Sequence, residues 1–292
     1  MENKDKIKFV AAIACFAVIS VFMTTQYRRK RRAFKASSKK FCYLETEEKP
    51  QSIFKRVLAD NSYTPFKHLN RNEANNELSL ISHPYEEEIT ALLENPKVEV
   101  EFISGDFDLE MNGSAVWVKT ESQLEELVKV LSKERVFAVD TEQHSLRSFL
   151  GFIALVQIST KKEDYLVDTI ALHDAMGILR PVFADPDICK VFHGADNDVL
   201  WLQRDFHIYV VNLFDTSKAC EVLSKPYKSL AYLLETYCSV TTNKMLQRED
   251  WRLRPLSVEM VQYARVDSHY LLYIADRMAS ELKILDSGML YF

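Results

Sequence analysis

The sequence predicts an α/β fold in which a mixed central sheet is flanked by helices. Short apolar runs of strand length follow one another between residues 136 and 214, and segments with helical periodicity separate some of them. From residue 216 onward, helical patterns replace the strands. Apolar residues make up 47% of the 292 in the chain, which is enough to fill a large core.

Each element is predicted from its own local pattern. Thr120 is a typical N-cap for a helix with Leu124, Leu127, Val128 and Leu131 on one face. Apolar runs predict strands at 136–139, 151–159, 165–167, 188–192 and 210–214. Helical spacing predicts helices at 172–183, 199–204, 216–223, 229–237 and about 257–285.

Residues 35–115 show little periodicity and carry most of the turn residues, such as Asn112-Gly113. One short helix is predicted there, at 85–93. We therefore expect three parts: an anchor with a basic flank at 1–32, a linker that packs on the body at 33–115, and a catalytic domain at 116–290.

The anchor is predicted from Phe9–Tyr27, 19 residues without a charge, a length that spans a hydrocarbon core. Arg28–Arg32 follow at once, and this basic excess predicts a single-pass protein whose body faces the cytosol. Two alternatives remain open, a cleaved signal peptide and a soluble cytosolic protein. The run has no clear small-x-small cleavage site at its end.

Charge and cysteine content exclude some functions. Residues 1–50 hold 12 Lys/Arg against 5 Asp/Glu, so the net charge of −5 combines +7 in this segment with −12 in the remainder. An acidic body is not a general electrostatic binder of nucleic acid. The five cysteines include no C-x-x-C pair and are odd in number, so neither a disulfide framework nor a zinc site is expected.

Four acidic residues and one tyrosine carry the chemistry. Asp140 and Glu142 end an apolar strand two residues apart, where extended backbone directs both side chains to one face. Asp198 opens the helix after another strand, and Tyr263 and Asp267 are one helical turn apart. Mg²⁺ and similar cations prefer such oxygen ligands, and paired metals serve many nucleases. The set predicts a metal-dependent nuclease.

Three motifs, Val139-Asp-Thr-Glu-Gln-His-Ser145, His193-Gly-Ala-Asp-Asn-Asp198 and Tyr263-Ala-Arg-Val-Asp267, closely resemble those of the DEDD-Y 3′-5′ exonucleases. The resemblance covers about residues 116–285 and is strongest to ribonuclease D and the exosome-associated rRNA-processing exonuclease. Gln157-Ile-Ser-Thr160 and the segment 244–256 extend it. It implies a ribonuclease H-like fold and a 3′-5′ exoribonuclease that releases nucleoside 5′-monophosphates.

The resemblance also implies roles for the five residues. Two Mg²⁺ or Mn²⁺ ions would be held by Asp140, Glu142, Asp198 and Asp267, one activating water and the other stabilising the leaving 3′ oxygen. Tyr263 would orient or help activate that water. Asp196 is an additional carboxylate where the family has an uncharged residue, and we expect it to be exposed.

The substrate and partners are less sharply defined. Five residues are expected to contact RNA: His144, Lys244, Gln247, Trp251 and Arg254. For Trp251, packing of its loop against the core is an equal alternative. We expect a monomer that acts on single-stranded RNA, with exosome components as candidate partners. Relatives usually continue into a helical HRDC domain, whereas Phe292 is the last residue here.

Two rival functions remain open. One is a DNA 3′-5′ exonuclease, since no residue is seen to recognise a 2′-hydroxyl. The other is a non-catalytic, membrane-tethered RNA-binding adaptor, suggested by the acidic body and the missing HRDC segment.

Overall fold

The computed structural model describes residues 49–59, 62–69, 78–79, 83–95, 102, 107, 109–145 and 150–289. All of them belong to one compact unit, residues 47–292. The predicted anchor, Phe9–Tyr27, lies outside these residues. None of the helices within them has the length and hydrophobicity that a membrane crossing requires.

Eight strands occur in the described residues. They are β1 (His68–Leu69), β2 (Leu78–Ser79), β3 (Val116–Val118), β4 (Val136–His144), β5 (Phe152–Ser159), β6 (Asp164–Val167), β7 (Cys189–Phe192) and β8 (Leu213–Asp215). β1 and β2 form a small antiparallel pair. The other six form one sheet in the order β3-β6-β5-β4-β7-β8. Within that sheet only β5 runs antiparallel to its neighbours, so the sheet is mixed, as predicted.

The α-helices in the same ranges are α1 (Glu86–Glu94), α2 (Glu121–Leu131), α3 (Arg180–Ala184), α4 (Asp196–Phe206), α5 (Thr216–Val222), α6 (Leu230–Leu233), α7 (Val258–His269) and α8 (Leu271–Met289). Short 3₁₀ segments occur at Pro50–Ile53, His173–Leu179 and Leu246–Arg248, and a π-helical turn at Leu234–Cys238. The predicted cap is confirmed, because the Thr120 side chain accepts from the Gln123 backbone in a capping box.

The sheet is covered on both faces, which confirms the predicted architecture. On one face, the buried leucines of α2, the segment 172–183 and α4 form a single cluster with Phe137, Val139 and Ile158. On the other face, α7 packs on Leu155 and Leu166, and α8 packs on Ala138 and Val191. Both faces of the central strands are therefore buried, which explains why β5 reads as a nearly continuous apolar run.

Several elements differ from prediction. The strand predicted at 210–214 is observed as β8, Leu213–Asp215, and the helix predicted at 229–237 is four α-helical residues followed by a π-helical turn. The strand predicted at 136–139 continues to His144, because β5 pairs with β4 from Ala138 to His144. The helix predicted at 172–183 is a 3₁₀ segment followed by five α-helical residues. The long helix predicted at 257–285 is interrupted at Tyr270. Apolar spacing continues through Tyr270, so no sequence signal marks that interruption.

The described part of the segment before residue 115 contacts the sheet unit. The Phe54 ring stacks on His173 with centroids 3.7 Å apart, and Asp174 accepts from the backbone N–H groups of Lys55 and Arg56. His68 Nδ1 lies 3.0 Å from the Tyr209 hydroxyl. The predicted helix at 85–93 is observed as α1, one residue later.

Candidate active site

Asp140 and Glu142 lie where two parallel strands separate. β7 pairs with β4 only over Val136–Ala138, whereas β5 continues beside β4 to His144. Beyond Ala138, β7 therefore no longer pairs with its edge of β4. Crevices at such points, outside the carboxyl ends of parallel strands, are the usual ligand sites of open α/β sheets.

Asp198 reaches the same place from the helix after β7. The turn between them is fixed by Asp215, whose carboxylate accepts from the backbone N–H groups of Gly194 at 2.8 Å and Ala195 at 2.9 Å. Gly194 has a φ of 69°, a left-handed conformation that favours glycine. Asp198 then lies in the first turn of α4, where its side chain accepts from the Thr141 hydroxyl.

Helix α7 brings Tyr263 and Asp267 over the sheet, and a buried ionic network fixes the helix. Asp164 on β6 accepts from Arg265 Nη2 at 2.9 Å and lies 3.0 Å from His269 Nδ1. Arg265 also donates to the Gly113 carbonyl. Burial by itself would raise the pKa of Asp164, but its bonds to His269, Ser159 and Arg265 lower it below its usual value.

Three carboxylates meet at the centre. Oxygens of Asp140, Glu142 and Asp267 all lie within 4.8 Å of one another. Glu142 and Asp267 are each 5% exposed, so water screens them poorly. Asp198 lies outside this group of three but is close enough for its charge to act on Asp140 and Glu142.

The electrostatics of this centre favour protonation in the absence of a cation. Burial raises the pKa of Asp140 well above its usual value, and the charges of Asp267 and Asp198 raise it further. Burial and the charge of Asp140 also raise the pKa of Glu142. Burial also raises the pKa of Asp267 to about 7 and that of Asp198 to about 6, although hydrogen bonds from Tyr263 and Thr141 respectively lower them.

These residues fit a divalent cation. Clustered, buried carboxylates that repel one another are hard oxygen donors, which Mg²⁺ and Mn²⁺ prefer. A cation between them removes the repulsion that raises their pKa values. Asp140, Glu142 and Asp267 would hold it, with Asp198 beside them.

Tyr263 is a neutral phenol in this setting. Burial raises its pKa above the usual value, and the charges of Asp267 and Glu142 add to the effect. Its hydroxyl is hydrogen-bonded to Asp267. Tyr263 can therefore orient a neighbouring molecule by hydrogen bonding, whereas its pKa makes it a poor base.

The residues predicted to contact RNA separate into two groups. Lys244 and Gln247 are exposed. Trp251 is fully buried, with its ring centroid 6.1 Å from that of Tyr263, and His144 is 4% exposed. Arg254 binds Asp168 through Nε at 2.7 Å and Nη2 at 2.8 Å. Trp251 and His144 are therefore buried and Arg254 is held by Asp168, and a base cannot stack on a ring that is inside the core.

Several residues that support the site were not predicted. Thr141 lies between the first two predicted ligands, and Arg265 lies inside the third motif. The sequence shows where both residues stand but not which side chains they contact. Asp168 and Asp215 lie at strand ends, but their carboxylates bind other groups of the protein. Asp168 accepts from Arg254, and Asp215 accepts from the backbone N–H groups of Gly194 and Ala195. His193 Nδ1 lies 2.9 Å from the Thr216 hydroxyl, which joins the turn before Asp198 to the start of α5. Asp196 is exposed, as predicted, and pairs with Lys218.

The chain is similar to several known proteins. A family model described as 3′-5′ exonuclease matches residues 115–283. The chain is 66% identical to Protein RRP6-like 3 of Arabidopsis thaliana over 289 residues, covering 98% of this chain and 32% of the relative. It is 40% identical to Exosome complex exonuclease RRP6 of Saccharomyces cerevisiae, covering 84% of this chain and 36% of the relative. The chain thus spans about a third of the length of these curated relatives.

Among solved structures, the catalytic core of RRP6 from Trypanosoma brucei matches with a TM-score of 0.72 and 41% identity. The match covers 84% of this chain and 68% of that one. The predicted fold class is confirmed by this similarity.

The predicted membrane localisation is wrong. The yeast relative that matches 84% of this chain is, by its name, an exonuclease of the exosome complex. The physical reason lies in the composition of the run Phe9–Tyr27. Its last four residues, from Thr24, are polar or amphipathic, so the apolar part ends at Met23 and has 15 residues. A spanning helix needs about 20.

Proposed function

Because the chain belongs to the 3′-5′ exonuclease family, we propose that it is a hydrolytic 3′-5′ exoribonuclease which releases nucleoside 5′-monophosphates from single-stranded RNA. The observation that carries this proposal is the group of three carboxylates, Asp140, Glu142 and Asp267, at the point where β4 and β7 separate. Tyr263 is hydrogen-bonded to one of them. The similarity to RRP6 proteins supports RNA as the substrate and RNA processing or degradation as the setting.

The proposed cofactors are two Mg²⁺ or Mn²⁺ ions. Asp140, Glu142, Asp198 and Asp267 would hold them. When bound, such ions lower the pKa of water and stabilise a leaving oxygen.

The protein's own residues perform the remaining tasks. Tyr263, kept neutral by burial, donates its hydroxyl hydrogen to Asp267, and its oxygen can orient an attacking water by accepting a hydrogen bond from it. Thr141 holds one oxygen of Asp198, which leaves the other oxygen for the site. Trp251 and Leu155 pack beneath Tyr263 and exclude water from that side.

Exposed groups nearby suit a phosphate backbone. Lys244 and Gln247 are exposed, and the charge of Lys244 is close enough to act on His193 in the turn before Asp198. A lysine and an amide at the rim would bind phosphate and sugar oxygens without selecting a base sequence. Lys244 and Gln247 are therefore our proposed substrate contacts.

We propose residues 116–290 as the catalytic domain, with residues 33–115 as a segment that packs on it. The name of the yeast relative supports exosome components as partners of this chain. The proposed unit of catalysis is the monomer, since every residue of the proposed site comes from one chain.

The test is digestion of 5′-labelled single-stranded RNA and matched DNA by the purified full chain, with Mg²⁺, with Mn²⁺ and with EDTA. We expect stepwise shortening from the 3′ end of RNA, release of nucleoside 5′-monophosphates, and no reaction in EDTA. Faster digestion of DNA would favour a DNA exonuclease. RNA binding without shortening under all three conditions would favour a non-catalytic adaptor.

A further inference from the structure

Gln157 is a buried amide beside the carboxylate cluster. It lies on β5 directly across from Asp140 on β4, in antiparallel register. Side chains at directly opposed positions of an antiparallel pair extend from the same face of the sheet, with Cβ atoms about 4.5–5.5 Å apart. Gln157 therefore extends toward the same side of the sheet as the first predicted metal ligand.

Its neighbours along β5 show what covers that face. Leu155 belongs to one buried cluster with Tyr263 and Ala264 of α7, and Ser159 Oγ lies 2.8 Å from Ser268 Oγ. Gln157 lies midway between these two residues, and alternate strand residues share a face. The turn of α7 that carries Asp267 therefore lies over the Gln157 side chain.

The amide is unsatisfied in this position. Gln157 is 0% exposed, and among the described residues neither its Nε2 nor its Oε1 has a hydrogen-bond partner. Leaving a buried polar group without a partner costs free energy, whereas an apolar side chain of the same shape costs nothing of this kind. Buried groups of this kind call for an explanation, and an ion with its bound water is one of the recognised ones.

We propose that Gln157 is a positioning residue of the metal centre. Its Nε2–H group donates to the carboxylate of Asp140, and its Oε1 accepts from a water held by the cation. Both bonds form only in the metal-loaded protein, so the amide orients a ligand without being one. Outer partners of this type hold ligating carboxylates in place, and replacing them lowers metal affinity about 10–100-fold.

This inference rests on the proposed metal-dependent function, and a purely structural role makes the opposite prediction. If Gln157 served only to pack the sheet against α7, removing its amide would lower the stability of the metal-free protein. If it serves the loaded state, removing the amide relieves an unsatisfied group. The metal-free protein then gains stability while metal binding weakens.

The experiment follows thermal unfolding of the full chain during a Mn²⁺ titration, after removal of metal with EDTA and dialysis. The test variant is Gln157→Met, which keeps the length and removes the amide. We expect its metal-free Tm to rise by about 2–4 °C. The Mn²⁺ concentration at half-maximal stabilisation should rise about 10–100-fold.

Gln143→Met is the matched control. The strand register shifts between Glu142 and Gln143, and Gln143 pairs with Ile153, which belongs to the cluster on the opposite face of the sheet. Its Nε2 donates to the Leu150 carbonyl. We expect this variant to show no rise in metal-free Tm and a Mn²⁺ midpoint within about twofold of wild type. Gln157→Leu is a second test variant in case methionine packs poorly.

Two results would overturn the assignment of Gln157. One is a Mn²⁺ midpoint in both Gln157 variants within about twofold of wild type, and the other is a lowered metal-free Tm in both. If the Tm of the wild-type chain did not respond to Mn²⁺ or Mg²⁺, that result would reject the metal-dependent function itself, and this inference with it.

Discussion

At the residue scale, the site combines groups that are unfavourable together. Asp140, Glu142 and Asp267 are like charges in a poorly hydrated place, and burial raises the pKa of each. Natural sequences keep such local conflicts mainly at functional sites. Replacing one of these carboxylates should therefore reduce function while relieving repulsion.

Asp140→Asn should reduce the single-turnover rate of nucleotide release at least about a hundredfold, because metal stabilisation contributes several kcal/mol. The variant should fold normally, and its metal-free Tm should be equal to or above that of wild type. Rates and thermal unfolding are measured on the same preparations, with Asp196→Asn as the exposed control. Residual activity above about a tenth would show that Asp140 is not a ligand.

Tyr263→Phe removes one hydroxyl and keeps the packing of the ring against Trp251. We expect a rate loss of roughly 10²–10⁴-fold, because positioning of a proton or water contributes about that much. The Mn²⁺ midpoint and RNA affinity should change little. Tyr165→Phe, on β6 and away from the carboxylates, is the control. Equal single-turnover rates for wild type and Tyr263→Phe would exclude the proposed role.

At the element scale, α7 determines the geometry of the site. The helix carries both Tyr263 and Asp267, and it is joined to β6 through Arg265 and His269, which both bind Asp164. Asp164 and Arg265 are 5% and 7% exposed. Because this pair is desolvated, losing one partner leaves the other charge buried without compensation.

Asp164→Asn should lower the free energy of unfolding by about 3–5 kcal/mol, as expected when one member of a buried ion pair is removed. Activity should fall with it, since Tyr263 and Asp267 lose their fixed helix. The control is again Asp196→Asn, which breaks an exposed pair with Lys218 and should cost less than about 1 kcal/mol. Urea unfolding of both variants gives the comparison, and equal losses would contradict a special role for the buried pair.

At the scale of the whole molecule, the carboxylate cluster links stability, pH and metal. The pKa of Asp267 is raised to about 7 and that of Asp198 to about 6, against roughly 4 in the unfolded chain. Between these values the folded state binds more protons than the unfolded state. The contribution of these groups to stability is therefore complete below about pH 4 and is lost as pH rises toward 7. The pKa of Asp164 is lowered in the folded protein, so its contribution to stability is lost as pH falls.

Bound metal should reverse this dependence, because ligands bind it in their deprotonated form. We expect the rise in Tm on adding Mg²⁺ to grow steadily from pH 5 to pH 7. Thermal unfolding in matched buffers with Mg²⁺ or EDTA measures that difference, and Asp140→Asn should flatten it. A difference that is constant across this range would show that the raised carboxylates do not bind the metal.

The sequence by itself determined the type and order of most elements and the identity of the chemical groups. Local signals were sufficient for this. Thr120 and Gln123 specify a helix start, the apolar run of β5 specifies a buried strand, and three short motifs carry the acidic residues. The membrane prediction was wrong because a run without charges was taken to be a run of sufficient apolar length.

Only the tertiary structure decided which of these groups meet. The continuation of β4 to His144 depends on pairing with β5, and the interruption at Tyr270 occurs where spacing remains apolar. The burial of Trp251 and the pairing of Arg254 with Asp168 likewise depend on contacts between distant segments. The unsatisfied amide of Gln157 follows from strand register and from the position of α7. Such contacts join residues about 8–110 positions apart, and local propensity and periodicity carry no information about them.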